Sequence, residues 1–167
     1  RWATHGPPSD VNAHPHAGGQ GRIAVIHNGI IENYEALREL LTHRGHNLVS
    51  ETDTEVLAHF IEEVQLSTGL DLPDAVRTAL KEVVGAYALV VIDQSHPYRL
   101  IAARKSSPLV IGVGQDNEFF VGSDATPIVA HTKNVIYLED EEVATMHRSG
   151  ELTLSLIHIS EPTRRDP

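Results

Sequence analysis

The order of the predicted helices and strands indicates a layered α+β fold. Three stretches with apolar residues at helical spacing follow one another between residues 33 and 84. A short apolar run precedes them, and several runs rich in branched residues, separated by Gly, Pro, Asp and Asn, come after them. Helices grouped between strands that are mostly connected as hairpins favour this class over alternating βαβ units. We therefore expect one domain in which helices pack on sheets.

The front of the chain predicts a loop and then a buried strand. Residues 1–22 are rich in Gly and Pro and show almost no apolar period, which is typical of a loop. Ile23–Ile26 is short, apolar and branched, so we predict a buried strand there. The sequence His27-Asn28-Gly29 predicts a tight turn at its end.

Residues that start and stop helices place the remaining elements. Asn33 can cap a first helix and Gly45 can end it. Thr52 and Glu55 have the spacing of a capping box, so a second helix should begin near Asp53. The other predicted elements are a brief strand at 47–49, a helix at 72–84, strands at 86–92, 99–103, 109–113, 118–121, 135–138 and 142–147, and a small helix at 124–130 capped by Ser123.

Composition excludes several classes of function. Only 13 Lys and Arg face 23 Asp and Glu, so we expect no nucleic-acid partner. No apolar run approaches the roughly 18 residues of a membrane helix and no signal peptide is recognisable, so we expect a cytoplasmic protein with no membrane partner. The 167 residues contain 0 cysteines, which excludes disulfides, thiolate metal sites and an internal cysteine nucleophile. We expect no cofactor.

Four polar clusters near the front of the chain predict a functional site. An Asn followed by Gly at a strand end can present a side-chain amide and a backbone N–H to one point, as a developing oxyanion requires. The same pair is the commonest hairpin signal, so a simple turn stays open. The clusters are Arg1 to Gly6, Asn12 to His16, His27 to Gly29 and Ser50 to Glu55.

Two further sets of residues could bind a ligand or a metal. Arg1 and Asp53 could together hold an α-amino acid, through its carboxylate and its ammonium group. The alternatives are a solvated charge for Arg1 and, for Asp53, an acid favoured by the dipole at a helix N-terminus. His14, His16 and His27 could be zinc ligands, but no carboxylate has a suitable spacing. We therefore predict no metal site and expect hydrogen-bonded structural histidines.

At these clusters the chain resembles the isomerizing glutamine–fructose-6-phosphate aminotransferases, in their class II glutamine amidotransferase domain. The resemblance implies the four-layer αββα sandwich of the N-terminal-nucleophile hydrolases, in which the mature chain begins with a cysteine whose α-amino group acts as the base. The matching stretches are Arg1 to Gly6, Asn12 to His16, His27 to Tyr34, Ser50 to Glu55, Gly85 to Ala88 and Ser107 to Gly112.

The resemblance also implies a role for each candidate residue. The side chain of Asn28 and the N–H of Gly29 would form the oxyanion hole. Glutamine would be the substrate, and its ammonia would go to fructose 6-phosphate in a separate C-terminal domain of a parent protein expected to be a homo-oligomer. The substrate-binding residues would be Arg1 on the glutamine carboxylate, Asp53 on its ammonium, Thr4, His5 and His14 around the pocket, and Trp2 on the ammonia path.

The chain also departs from this family. The opening strands and their cysteine are missing, so we expect an incomplete sandwich, a fragment covering residues 1–150, that is inactive by itself. Residues 151–167 look like translated sequencing-adapter read-through, with a real terminal strand at Leu152–Ile159 as the alternative. A class II amidotransferase with another acceptor and a non-catalytic glutamine-binding module remain open as functions.

Overall fold

The structure consists of one helical layer and two antiparallel sheets. It is a computed structural model that describes residues 4–158. The first sheet has the strand order β1-β2-β3-β4-β8-β9 and the second the order β6-β5-β7. The predicted α+β class is therefore confirmed. The elements are β1 (His16–Ala17), β2 (Ile23–Ile31), α1 (Tyr34–His43), α2 (Asp53–Thr68), α3 (Leu72–Leu80), β3 (Gly85–Asp93), β4 (Arg99–Lys105), β5 (Val110–Val113), β6 (Phe119–Gly122), β7 (Val135–Tyr137), β8 (Glu142–His147) and β9 (Leu152–Leu156).

Helix α2 lies at the centre of the helical layer. Every residue from Asp53 to Glu62 is buried, so this half of the helix has no solvent-facing side. It packs on α1, α3 and β2, and the core that it shares with the first sheet includes Val56, Leu57 and Ile61. A helix buried on all sides must satisfy its polar side chains within the protein. The hydrogen-bond partners of the polar side chains of α2 therefore identify the segments that are attached to this helix.

A second apolar core lies between the two sheets. Ala102 of β4 and Ala144 of β8 face Ile111 of β5. Small residues on one sheet let the branched residues of the other interdigitate with them. The second sheet does not extend over the far end of β2 within the described part of the chain, because Ile26 and Ile30 are each 46% exposed.

The predicted tight turn at His27-Asn28-Gly29 is wrong, because β2 continues straight through these residues. The strand pairs with β3 from Ile23, opposite Asp93, to Ile31, opposite Gly85. Gly29 has φ of +116°, and a Cβ at this position would lie 2.2 Å from the carbonyl oxygen of Ala86. The glycine is therefore needed for a close approach of two strands and not for a reversal of the chain.

Two predicted elements are absent from the structure. Residues 47–49 form no strand, because the carboxylate of Glu55 accepts from the N–H groups of Val49 and Ser50 at 2.6 and 3.1 Å. Residues 124–130 form a bend and then consecutive turns from 126 rather than a helix. The side chain that caps the turns is Asp124, which accepts from the N–H of Thr126 at 2.9 Å, and not Ser123. Helix α3 ends at Leu80, four residues before the predicted end.

The helix starts predicted from Asn33 and Thr52 are found, with a change of role for Asn33. Helix α2 begins at Asp53, and the hydroxyl of Thr52 accepts from the N–H of Glu55 at 3.3 Å. Asn33 precedes α1 but makes no side-chain cap. Its amide instead donates to the carbonyl of Glu82 at 2.8 Å and accepts from the N–H of Val84 at 2.9 Å. Asn33 thus joins α1 to the segment before β3.

The segment after Gly150 contributes an edge strand to the first sheet. Strand β9 pairs with β8 over five residues, from Leu152, opposite Met146, to Leu156, opposite Glu142. The strand predicted as an alternative at Leu152–Ile159 is therefore present over Leu152–Leu156, whereas residues 157–158 form a bend and Ile159 lies outside the described residues. An adapter origin of residues 151–167 stays a prediction.

Candidate active site

Asp53 lies where the N-terminus of α2 meets the end of β2. The residue is 1% exposed, and its Oδ2 accepts from the backbone N–H of Ile31 at 2.9 Å. The partial positive charge at the start of a helix favours a carboxylate there. Asp53 can interact with the helix dipole and still face the candidate site, because its second oxygen, Oδ1, lies 3.5 Å from Nδ1 of His5.

A cavity of about 250 Å³ opens in front of Asp53. Since one water occupies about 30 Å³ in the liquid, the cavity has room for a small molecule. His5 forms part of its wall, with Nδ1 3.1 Å from the hydroxyl of Thr4 and its ring edge-on to Tyr34 at 4.7 Å. Four of the predicted substrate-binding residues therefore share one cavity. Its lining comprises Thr4, His5, Pro7, Pro8, Ser9, Asn12, Ala13, His14, Thr52, Asp53 and Thr54.

The three candidate histidine ligands hydrogen-bond with hydroxyl groups at the start of α2. His14 Nε2 and His27 Nδ1 lie 3.4 and 3.0 Å from the same hydroxyl, that of Thr54. His16 Nε2 lies 3.1 Å from the hydroxyl of Thr52. Within residues 4–158 no group of three or more His, Cys, Asp or Glu side chains is placed to hold a metal ion. These imidazoles tie the loop and the first strands to α2, as expected for hydrogen-bonded histidines.

Asn28 lines a second cavity, of about 160 Å³, on the face of the first sheet that points away from the helices. The side chain is exposed and lies between β2 and the end of β6. His14 lines this cavity as well as the one in front of Asp53. The structure therefore places Asn28 and Asp53 in two cavities with a shared wall. The second cavity is lined by His14, Ile26, His27, Asn28, Ala88, Val90, Leu109, Val121, Gly122 and Ser123.

The hydrogen-bond phase of β2 determines where the N–H of Gly29 points. Glu32, directly after β2, donates to the carbonyl of Val84, directly before β3, at 2.8 Å, which implies that the even-numbered residues of β2 bond to β3. In an antiparallel pair the alternate residues direct their N–H groups to the opposite edge. Ile31 obeys this rule, because it donates to Asp53. Gly29 lies two residues earlier in the same alternation, which predicts that its N–H faces the edge of β2 where Asp53 lies.

Two of the predicted site residues, Arg1 and Trp2, lie outside the described residues. Two others that line the cavity had no predicted role, namely Asn12 and Thr54. Both belong to the polar clusters of the sequence. A lone amide or hydroxyl in a loop has no spacing that indicates its partner, so only their membership of a cluster could have drawn attention to them.

A buried polar cluster supports α2 on the side away from the cavity. His59 is 4% exposed, and its Nδ1 lies 3.0 Å from Nδ1 of His46, whose Nε2 lies 2.8 Å from Glu63. Burial lowers the pKa of His59 below its usual value of 6.5. The hydrogen bond from His46, followed by that from Arg44, lowers the pKa of Glu63. Neighbouring Glu62 is fully buried and accepts from the N–H of Gln20 at 3.1 Å, which holds the β1–β2 connection on α2.

Known proteins with similar sequences bear on this site. Residues 8–130 match the glutamine amidotransferase domain family. Over 152 residues, or 91% of the chain, the sequence is 56% identical to glutamine–fructose-6-phosphate aminotransferase [isomerizing] of Bacteroides thetaiotaomicron. It is 51% identical over 150 residues, or 90% of the chain, to the enzyme of the same name from Thermotoga maritima. The chain spans about a quarter of the length of these relatives, 25% and 24% respectively.

Solved structures agree with the fold. The glutamine phosphoribosylpyrophosphate amidotransferase of B. subtilis, determined with ADP and GMP, has a TM-score of 0.77 at 26% identity, over 96% of this chain and 34% of that one. An allosteric regulatory enzyme of purine biosynthesis has a TM-score of 0.69 at 26% identity, over 83% of this chain and 29% of that one.

The fold is therefore that of the N-terminal-nucleophile amidotransferases, with one helical layer and both sheets present in residues 4–158. None of the helices in this range has the length and apolar character that crossing a bilayer requires. The family match covers most of the chain, and the two relatives named above are 56% and 51% identical to it over about nine tenths of its length. The chain belongs to the glutamine amidotransferase domain family, in the form carried by the glutamine–fructose-6-phosphate aminotransferases.

Proposed function

We propose that the chain carries the glutamine-binding and oxyanion-stabilising part of a glutaminase domain. One observation carries the proposal: the N–H of Ile31 donates to buried Asp53, and Gly29 lies two residues earlier in the same strand, so the alternation of an antiparallel strand would direct its N–H to the same edge. A group that attracts an ammonium and a group that donates to an oxyanion would thus lie along one strand edge. Glutamine needs both, one at its α-amino end and one at its side-chain amide.

The cavity in front of Asp53 suits the amino-acid end of the substrate. The buried carboxylate would accept from the ammonium group, while Thr4 and His5 line the same cavity. Arg1 is proposed to pair with the glutamine carboxylate, because a guanidinium can bind a carboxylate through two hydrogen bonds. His14 lines both cavities and would lie beside the length of the substrate.

The reaction would proceed through a thioester. A thiolate attacks the side-chain carbonyl carbon of glutamine, and the carbonyl oxygen becomes an oxyanion that the amide of Asn28 and the N–H of Gly29 would stabilise. On collapse of this intermediate, the α-amino base would pass the thiol's proton to the amide nitrogen, so that the C–N bond breaks and ammonia leaves; water would then hydrolyse the thioester, which releases glutamate and restores the thiol. The 167 residues contain no cysteine. We therefore infer that this chain binds glutamine without hydrolysing it.

The parent activity is proposed from the relatives that are named for it. Transfer of the ammonia to fructose 6-phosphate would give glucosamine 6-phosphate, with Trp2 on the ammonia path. A different acceptor is the alternative, and the 26% identity to the phosphoribosylpyrophosphate enzyme supports it less than the 56% identity to the fructose-6-phosphate enzyme supports the first. A cytoplasmic location and a homo-oligomeric parent remain predictions.

Calorimetric titration of the 167-residue chain with glutamine tests the proposal. The unchanged chain should bind glutamine, and Asp53→Asn should weaken binding at least about 10-fold, because a charge-assisted hydrogen bond is lost in a buried site. Asp116→Asn is the matched control, since Asp116 is exposed in the β5–β6 turn. Absence of glutamine binding by the unchanged chain, or equal affinity of the Asp53 variant, would contradict the proposal.

A non-catalytic binding module would bind glutamine equally well, so a second observation is needed. The genomic sequence upstream of the Arg1 codon distinguishes the two functions. A reading frame that continues back to Met-Cys-Gly supports the glutaminase. An in-frame start codon immediately before Arg1 supports the module instead.

A further inference from the structure

Asn12 lies where the loop over the cavity meets the segment that leads into α2. Its Nδ2 donates to the carbonyl of Pro7 at 2.9 Å, and its Oδ1 accepts from the N–H of Glu51 at 3.0 Å. The backbone N–H of Asn12 lies 3.2 Å from the carbonyl of Ser9, which closes a turn in the same loop. One half-buried side chain therefore connects both walls of the cavity.

The surroundings of Asn12 leave little room for another arrangement. A Cβ on Gly6 would lie 2.6 Å from Nδ2 of Asn12 and 2.6 Å from Oε2 of Glu51, and Gly6 has φ of +68°. The loop backbone therefore passes directly against the Asn12 amide. A primary amide can donate and accept at the same time, whereas a carboxylate only accepts. Both functions of the amide are used here.

The segment that Asn12 contacts, residues 50 and 51 before α2, is also held by a hydrogen bond to α2 itself. Both carboxylate oxygens of Glu55 accept from the N–H of Ser50, at 3.1 and 3.0 Å. Glu51 follows directly, and Asp53 lies two residues further on. Since the segment before α2 cannot shift easily, the Asn12–Glu51 bond sets the position of the loop relative to the Asp53 carboxylate.

We propose that Asn12 is a positioning residue for the amino-acid ligand of this cavity. It holds residues 6–12 over Asp53, so that the loop bearing Thr4 and His5 has its binding geometry before the ligand arrives. Ordering a loop in advance lowers the entropic cost of binding. The inference rests on the proposed function in so far as the ligand is glutamine.

Glutamine affinities of variants of the 167-residue chain test the proposal. Asn12→Ala and Asn12→Asp should bind glutamine roughly 3- to 10-fold more weakly, as expected for the loss of one or two hydrogen bonds. Asn12→Gln, which keeps a donor and an acceptor, should restore part of the affinity. Asn134→Asp adds the same charge at an exposed position and should bind as the unchanged chain does. Unchanged affinity in both Asn12→Ala and Asn12→Asp, at an unchanged melting temperature, overturns the proposal.

Amide hydrogen exchange without ligand separates this inference from the proposed function. In Asn12→Ala the Glu51 amide loses its acceptor and should exchange faster. In Asn12→Asp the carboxylate still accepts, so Glu51 should stay protected while glutamine affinity falls. Unaltered exchange of Glu51 in Asn12→Ala overturns the role of Asn12. If the unchanged chain does not bind glutamine, the proposed function fails, and the exchange result still decides whether Asn12 holds the loop.

Discussion

Gly29 occupies a position in β2 that no side chain can share with the neighbouring strand. A Cβ there would lie 2.2 Å from the carbonyl oxygen of Ala86, and φ is +116°. Gly29→Ala should therefore lower the free energy of unfolding by about 3 kcal/mol, through strain and displacement of β3. Chemical denaturation measures this. Gly21→Ala is the control: φ is +67° with nothing within 4 Å, so strain alone should cost about 1 kcal/mol. Equal losses in the two variants would refute the close-approach explanation.

Single residues also show the limit of a motif. Asn28-Gly29 is the commonest turn signal, yet here it lies within a nine-residue strand. The pairing partner β3 is contributed more than fifty residues later, so no local pattern indicates that the strand continues. Asp53 was predictable from its capping context, whereas its bond to Ile31 depends on the same long-range pairing.

At the scale of elements, the contact between α2 and the segment after α1 should make stability depend on pH. The pKa of His59 is lowered by burial, so the unfolded chain takes up this proton first as the pH falls. Stability is fully present above the unfolded value of 6.5 and is lost as the pH falls through the lower folded pKa. The carboxylates Glu55 and Glu62 oppose this shift, whereas His46 and Arg38 reinforce it.

Urea unfolding at pH 7.5 and pH 5.5 tests this dependence. The unchanged chain should be less stable at pH 5.5, and His59→Gln should reduce the difference. His131→Gln is the control, because His131 is exposed beside the second sheet. Glu63, whose pKa is also lowered, contributes a further loss only as the pH falls below its usual value of 4.5. An equal pH effect in the His59 and His131 variants would exclude the proposed source.

The starts of the three helices were predictable from local signals, whereas two short predicted elements did not form. Thr52 caps α2 through a contact three residues away, which the sequence displays directly. Residues 47–49 were predicted as a strand, but the buried carboxylate of Glu55 accepts hydrogen bonds from the N–H groups of Val49 and Ser50. The segment at 124–130 is short, so the hydrogen bond from the N–H of Thr126 to Asp124 is enough to favour turns over a helix.

At the scale of the whole molecule, the two sheets depend on each other through the core between them. Ile111 of β5 is fully buried in this core. Ile26 of β2, on the face of the first sheet that points away from the helices, is 46% exposed. Ile111→Ala should destabilise the chain by about 3 kcal/mol, because it leaves a cavity, and Ile26→Ala by less than about 1 kcal/mol. Thermal or chemical unfolding measures both. Similar losses at the two sites would show that the second sheet does not pack as described.

The sequence by itself determined the α+β class, the helix starts and the family, because capping residues, apolar periods and long motifs are local properties of the chain. It also predicted Thr4, His5, His14 and Asp53 as members of one candidate site, and the structure places all four in the lining of one cavity. Only the tertiary structure decided that β2 passes through Asn28-Gly29, that Asn28 and Asp53 line separate cavities, and that Asn12 joins the cavity walls. Those features depend on strand pairing and side-chain contacts between residues distant in sequence, and no local pattern encodes them.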